Sequence, residues 1–359
     1  MGASILPFLN SFKSNEKNTS NDEKMNLNPI IKVRALGFQW ETLDPFLFCV
    51  HHEDYYPAGN AEMGPISGIS GRPLGNDFHI KDGYRMYHGQ TVPGFPGHPH
   101  RGFETLTVVR KGMVDHADSK GGSGRYGNGD LQWMTAGKGL MHSEMFPLLK
   151  ENGDNPLELF QIWLNLPRKN KMVNPDYKMF WQEEIPAFFV QEGIFVEVLV
   201  GEIFGHHSPR PPEVSWASTK ENHVGVFNFK LDKNQAFLIP PLESGINRTI
   251  FFYEGNGLKI NGEDIPAYHA ADVRSEVELK INSTDSEIKF IILQGKPINE
   301  PIVQHGPFVM NSREEIQMAF MDYQKDQFGG WPWERYDQVH ERNKGRFAKY
   351  PDGTTVEKG

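Results

Sequence analysis

Short apolar runs recur along this chain with no helical pattern between them. In the first half they read "FETLTVV" (103–109), "DLQWM" (130–134) and "LELFQIWLNL" (157–166). In the second half they read "VGVFNFKL" (224–231), "RTIFFYEG" (248–255), "VELKIN" (277–282) and "EIKFIILQG" (287–295). Runs of this length, rich in β-branched and aromatic residues and bounded by Gly, Pro, Asn or Asp, read as strands. Strands so spaced predict antiparallel sandwiches or barrels, an all-β fold. With 359 residues there is chain for two domains. A Pro-rich connection, "FGHHSPRPPEVSWAS" (204–218), separates the two sets of strands, and residues 53–92 are loop-like.

The ends differ from the middle. Residues 1–28 are polar and rich in Asn, Lys and Ser, and are expected to be disordered. Near the other end, Ser312 and Glu315 fit a capping box, with Ile316, Ala319, Phe320 and Tyr323 on one helix face and Gly329 and Gly330 as its stop. "QHGPFVMN" (304–311) is expected to be a packing element that carries the chain back to the first domain. The tail "WPWERYDQVHERNKGRFAKYPDG" is too aromatic to be free and is expected to pack on a domain.

The net charge of −9 disfavours direct nucleic-acid binding. No run approaches the ~18 apolar residues of a membrane span, so no membrane partner is expected. The start "MGASIL" has no basic region before its short apolar patch and puts Leu6 where a myristoylation signal has Ser or Thr. The sequons at Asn18, Asn247 and Asn282 are then read as chance. The single cysteine, Cys49, forms no intrachain disulfide, which fits a reducing, cytoplasmic location.

The chemistry concentrates in two short patterns. In a strand, residues i and i+2 point to the same side. His98 and His100 in "GHPHRG" would project together, and so would His142 and Glu144 in "LMHSEM". Two such strands facing each other inside a barrel close four ligands on one ion. Three imidazoles and a carboxylate suit Fe, Mn, Ni, Cu or Zn better than Mg or Ca. Glu104 is a rival carboxylate, because an unbroken strand would place it with His98 and His100, although Gly102 offers a kink. Spacing alone does not choose between Glu104 and Glu144.

Other patterns point elsewhere. "GGSGRYG" holds G-x-G-x-x-G at Gly122, Gly124 and Gly127, but no helix follows it, so it reads as a hairpin loop rather than a nucleotide site. His206 and His207 are adjacent in a Pro-rich loop, and His223, His269, His305 and His340 have no partner at ligand spacing. No G-x-S-x-G occurs, and Cys49 sits in the apolar run "FLFCV".

Four segments in order, "FPGHPHRGFET", "GDLQWMTAGKGLMHSEM", "LELFQIWLNLP" and "EPIVQHGPFVMN", resemble the signature segments of pirin proteins within the cupin superfamily. The resemblance spans roughly residues 35 to 325, and "DYQKDQFGGWPW" is similar to the tail of longer bacterial-type pirin-like proteins. It implies a bicupin, two tandem β-barrels with metal in the first only, followed by a C-terminal helix and packed tail. The expected divisions are 1–28, 29–168, 169–310 and 311–359. It implies His98, His100, His142 and Glu144 as ligands, Glu104 holding the carboxylate place used by other cupins, and a non-haem transition ion, Fe(II) first, with other divalent first-row metals possible.

Two functions follow as expectations. One is a metal-dependent dioxygenase of the quercetinase type, taking a small aromatic, flavonol-like substrate and O₂. Glu144 would accept a proton, Phe95 and Gln161 would line the pocket, and Glu104 would orient a ligating imidazole from behind. The other is a metal-binding regulatory protein that acts through protein partners, or a degenerate cupin that has lost turnover.

Overall fold

The computed structural model describes residues 28–358. The polar segment 1–28 and the Asn18 sequon fall outside them, but for Asn28. Two antiparallel sheets form a first barrel. One runs in the order Asp176–Phe180, Leu131–Thr135, Phe103–Lys111, Asn155–Asn165, Phe46–Tyr56, Gln39–Trp40. The other runs Thr355–Lys358, Arg346–Lys349, Ser123–Gly127, Met113–Asp118, Leu140–Met145, Gly94–His100. A second barrel has a seven-stranded sheet, Ile30–Ala35, His269–Arg274, Asn247–Glu254, Ile288–Gly295, Gly225–Leu231, Ile194–Val200, Ala187–Gln191. Its four-stranded partner runs Ala236–Ile239, Leu279–Ser283, Leu258–Ile260, Glu263–Ile265. The fold is the expected pair of barrels.

The sheets divide the chain differently from the expected 29–168 and 169–310. Strand Ile30–Ala35 pairs with His269–Arg274 and completes the second barrel. Strand Asp176–Phe180 pairs with Leu131–Thr135 and completes the first. The two barrels therefore exchange edge strands. Local sequence does not encode this, because a strand's partner is chosen by long-range packing.

The first barrel's sheet that contains Phe103–Lys111 is buried on both faces. Along Phe103–Lys111, Thr107 and Val109 face the barrel interior. Leu106 and Val108 face the second barrel, in a core shared with Phe160, Ile162, Leu199, Val226 and Phe251. Trp40 stacks on Phe251 across this interface, with ring centroids 5.3 Å apart and planes 12° from parallel. Each aliphatic or aromatic side chain buried there contributes about 1.5–3 kcal/mol. Cys49 lies in the same core, fully buried, and burial holds its thiol well above the usual range.

The helix forms as the sequence predicts. Arg313–Asp326 begins at Ser312, whose side chain accepts from the Glu315 amide, and Glu315 completes the capping box. It ends at Gln327 in the left-handed conformation, two residues before the expected glycine stop. Ile316 and Ala319 pack with Phe308, Met310 and Phe328. The segment before the helix runs beside the first barrel: the Arg101 amide donates to Pro307 O (3.3 Å) and Val309 N donates to Arg101 O (3.0 Å). Lys171, fully buried, donates to the carbonyls of Gly102 and Val309 and to Asn165 Oδ1. Burial lowers its pKa to about 7.

The tail is clasped by a buried ion pair. Arg125 donates to both oxygens of Asp115, at 2.6 and 2.7 Å. The same guanidinium donates to the carbonyls of His340, Glu341, Arg342 and Lys344. Arg346–Lys349 then pairs antiparallel with Ser123–Gly127. The "GGSGRYG" segment, expected as a hairpin loop, is thus largely a strand, and its glycines serve close approach: a Cβ on Gly124 would lie 2.7 Å from Phe347 O. Asp115→Ala leaves Arg125 buried without its counter-charge and is expected to cost about 3–5 kcal/mol. Denaturant melts should show that loss, and limited proteolysis should now cut within 340–349.

Candidate metal centre

The histidine strand Gly94–His100 is a sheet edge, where prolines without N–H groups are tolerated. Its register against Leu140–Met145 slips between Phe95 and His98: Phe95 faces Glu144, His98 faces His142 and His100 faces Leu140. Simple alternation would turn Phe95 away from His98. The bulge at Pro96–Gly97 turns both inward. The tail fixes it, for the Gly97 amide donates to Tyr336 O (2.7 Å) and a Cβ on Gly97 would lie 2.6 Å from the Tyr336 ring.

The bulge brings three imidazoles together. His98 and His142 have ring centroids 4.5 Å apart, His98 and His100 4.8 Å, and His100 and His142 5.0 Å. One nitrogen from each lies within 4.8 Å of the others. Glu144 Oε2 stands 3.8 Å from His142 Nε2. Glu144 is held by Thr107 Oγ1 (2.8 Å) and Gln161 Nε2 (3.0 Å). The Thr107 hydroxyl also lies 2.6 Å from Gln161 Oε1 and has one proton for two acceptors.

The donor set fits a first-row transition ion. His98 Nδ1 is 2.9 Å from Pro96 O, so it carries the proton, and Nε2 is left as a lone-pair donor. Both nitrogens of His142 and Nδ1 of His100 are buried with no hydrogen-bond partner among the described residues. Such orphaned polar atoms cost roughly 1–3 kcal/mol each unless something binds them. Burial lowers the His98 pKa to about 4 and takes His100 and His142 well below the usual range, which keeps all three in the neutral, ligating form. Burial pushes the Glu144 carboxyl up, against the lowering effect of Thr107, His116 and Gln161.

A cavity of about 200 Å³ opens beside this cluster. Phe95 and Gln161 line it, together with His98, His100, Thr107 and Glu144. Further walls come from Phe38, Phe48, Phe78, Phe146 and Trp163. Trp163 also braces His100, with ring centroids 5.2 Å apart.

Glu104 is not brought to the centre. The chain leaves the histidine strand at Arg101–Gly102, where Gly102 has φ +88°, and enters the other sheet. Glu104 then shares its face with Leu106 and Val108, turned toward the second domain. It accepts from Thr135 Oγ1 (2.7 Å) and Ser215 Oγ (2.5 Å). Neither bond reaches one of the clustered imidazoles. Parity counted through an unbroken strand placed it wrongly, because the strand breaks at the glycine.

Thr107 and His116 also stand at this cluster, although neither was a candidate by sequence. Thr107 is opposite Gln161 in the sheet register. His116 is opposite Glu144, its ring 5.6 Å from that of His142, and its Nε2 is 3.1 Å from Asp118 Oδ2. The signal was present as the H-x-D of "VDHAD" (114–118), a third i, i+2 pair.

Two tandem barrels with an inward histidine cluster in the first define a bicupin. Residues 32–164 match the Pirin family model and residues 226–329 match that of the Pirin C-terminal cupin domain, and the chain belongs to the pirin family. A Pseudomonas aeruginosa protein provisionally named a quercetin 2,3-dioxygenase is 37% identical over 235 residues, 65% of this chain and 79% of that one. Human Pirin is 35% identical over 252 residues, 68% of this chain and 80% of that one. A crystal structure of quercetin 2,3-dioxygenase from Acinetobacter baumannii superposes with a TM-score of 0.67 at 27% identity, covering 84% of this chain and 98% of that one.

Two outcomes test the placement of these residues. His100→Ala should strip most bound transition metal, read by elemental analysis, while Glu104→Gln should leave it in place. Glu104 also gives a pH signature. Burial raises its pKa from 4.5 to about 7. A carboxyl whose folded pKa is raised adds stability below the unfolded value, and that stability is lost as pH climbs toward 7. The shift corresponds to about 3 kcal/mol. Glu104→Gln should therefore melt higher than wild type at pH 8.5 and show no such gain at pH 4. Equal pH dependence in the two proteins would contradict this.

Proposed function

We propose that this chain is a metal-dependent dioxygenase of the quercetinase type, with His98, His100, His142 and Glu144 holding one non-haem ion, Fe(II) first among the divalent metals. One observation carries the reading: three neutral imidazoles, two of them with buried unpartnered nitrogens, converge beside a carboxylate at the base of an aromatic-walled cavity. The quercetin 2,3-dioxygenase structure of Acinetobacter baumannii lends support through its similarity over most of the chain. When bound, such an ion supplies Lewis acidity and redox chemistry toward O₂.

The chain's own residues do the rest. Phe38, Phe48, Phe95 and Trp163 exclude water and present faces for a planar ring. The cavity's 200 Å³ is below the ~300–1,000 Å³ of many ligand sites. One ring system of a flavonol-like molecule enters, and the remainder extends toward the mouth. Glu144 accepts the proton of the ring hydroxyl that reaches the cluster, within hydrogen-bond reach of its carboxylate. Gln161 and Thr107 hold that carboxylate in place.

Glutamine keeps the size of glutamate and offers an oxygen, but it is no base at neutral pH. Glu144→Gln is expected to retain part of its metal and to lose flavonol cleavage by roughly 10²–10⁴-fold. Anaerobic loading with Fe(II), metal analysis and a quercetin assay with O₂ measure both. A fully loaded wild type that cleaves no flavonol overturns the enzyme reading and favours a metal-binding protein that acts through protein partners.

A further inference from the structure

The second barrel has a cavity of its own, about 850 Å³, which shares no lining residue with the first-barrel cavity. Arg248 stands in its wall. On strand Asn247–Glu254, Arg248 has the same parity as Ile250 and Phe252, which lie in the second barrel's core. Its side chain therefore points into the barrel, and the residue is 2% exposed. Nε donates to Gln294 Oε1 (2.9 Å) and Nη1 donates to Pro240 O (3.3 Å). Nη2 donates to no described residue, and no described carboxylate forms an ion pair with this guanidinium. Burial without a counter-charge lowers its pKa to about 10.

A buried charge without a partner is costly, and buried cations in proteins are paired or hydrogen-bonded. Two neutral oxygens meet part of the guanidinium's demand and leave its outer edge facing the cavity. The other walls set the rest of the ligand. Ile203, Val224 and Leu242 supply apolar surface. Lys220 and Arg210 add cations, but Glu202 lies 2.9 Å from Lys220 and takes up that charge, and Arg210 is exposed, where solvent screens it. One buried uncompensated positive charge beside the apolar surface of Ile203, Val224 and Leu242 matches one negative charge on an apolar body. A planar fork suits a carboxylate, which it can hold through two parallel hydrogen bonds. A phosphate dianion would find a single buried cation and would lie near Glu202.

We propose that the second barrel binds a small organic monocarboxylate, its carboxylate on Arg248 and its apolar body in the chamber of Ile203, Val224 and Leu242. The site is independent of the metal centre.

Isothermal titration of the full-length, metal-loaded chain tests this with benzoate and inorganic phosphate as probes. Benzoate is expected to bind saturably at one site, and phosphate is expected not to bind. Arg248→Met should weaken benzoate binding roughly tenfold or more, yet melt at or above the wild-type temperature without ligand, since it removes the unpaired charge. His100→Ala should leave benzoate binding intact. Arg248→Lys keeps the charge without the fork and should also bind about tenfold more weakly, which gives a reading should the methionine variant not fold. No saturable benzoate binding, binding unchanged by both Arg248 variants, loss of binding in His100→Ala, or phosphate binding in place of benzoate would each overturn the proposal.

Discussion

The first barrel's sheet that contains Phe103–Lys111 is buried on both faces, and period-two alternation along its strands decides which residues meet the site and which meet the other barrel. On Asn155–Asn165, Gln161 and Trp163 look inward while Phe160 and Ile162 look out. On Phe46–Tyr56, Val50 and His52 line the cavity while Cys49 joins the shared core. A one-residue slip in any of these strands would exchange the two sets. Large apolar side chains on the outer face, Trp40 against Phe251 above all, make such a slip expensive and so hold the register that aims Thr107 and Gln161 at Glu144.

The barrel's other sheet carries the histidines, and its precision comes from a distance. A bulged, Pro-containing edge strand is a weak support alone. Here the tail supplies what the strand lacks: Tyr336 O accepts from Gly97, and Trp331 stacks on Tyr336 with planes 5° apart. The tail is fixed in turn by Arg125 and Asp115 on the strands beside the site. Residues beyond 329 lie outside both family-model matches, yet they bear directly on the strand that presents His98 and His100.

Much of this was legible in the sequence. The recurrent β-branched runs announce the barrels, and the i, i+2 pairs place His98 with His100 and His142 with Glu144. What failed did so where local pattern stops governing geometry. Parity cannot pass a break, so spacing alone could not place Glu104 beyond the kink that Gly102 offers. Parity also hides a bulge, so it gives no reason for Phe95 to share a side with His98. The exchange of Ile30–Ala35 and Asp176–Phe180 between barrels depends on partners far along the chain. The glycines of "GGSGRYG" look like a loop because their real constraint, the approach of the Phe347 backbone, comes from the other end of the molecule.

The central claim is that His98, His100, His142 and Glu144 converge on one ion in the first barrel. Anomalous diffraction at the metal edge, from crystals of the full chain loaded with Fe(II), tests it most directly. The account predicts a single strong peak within coordination distance of those four side chains and none in the second barrel. A peak that leaves out Glu144, or that lies among other residues, would contradict it.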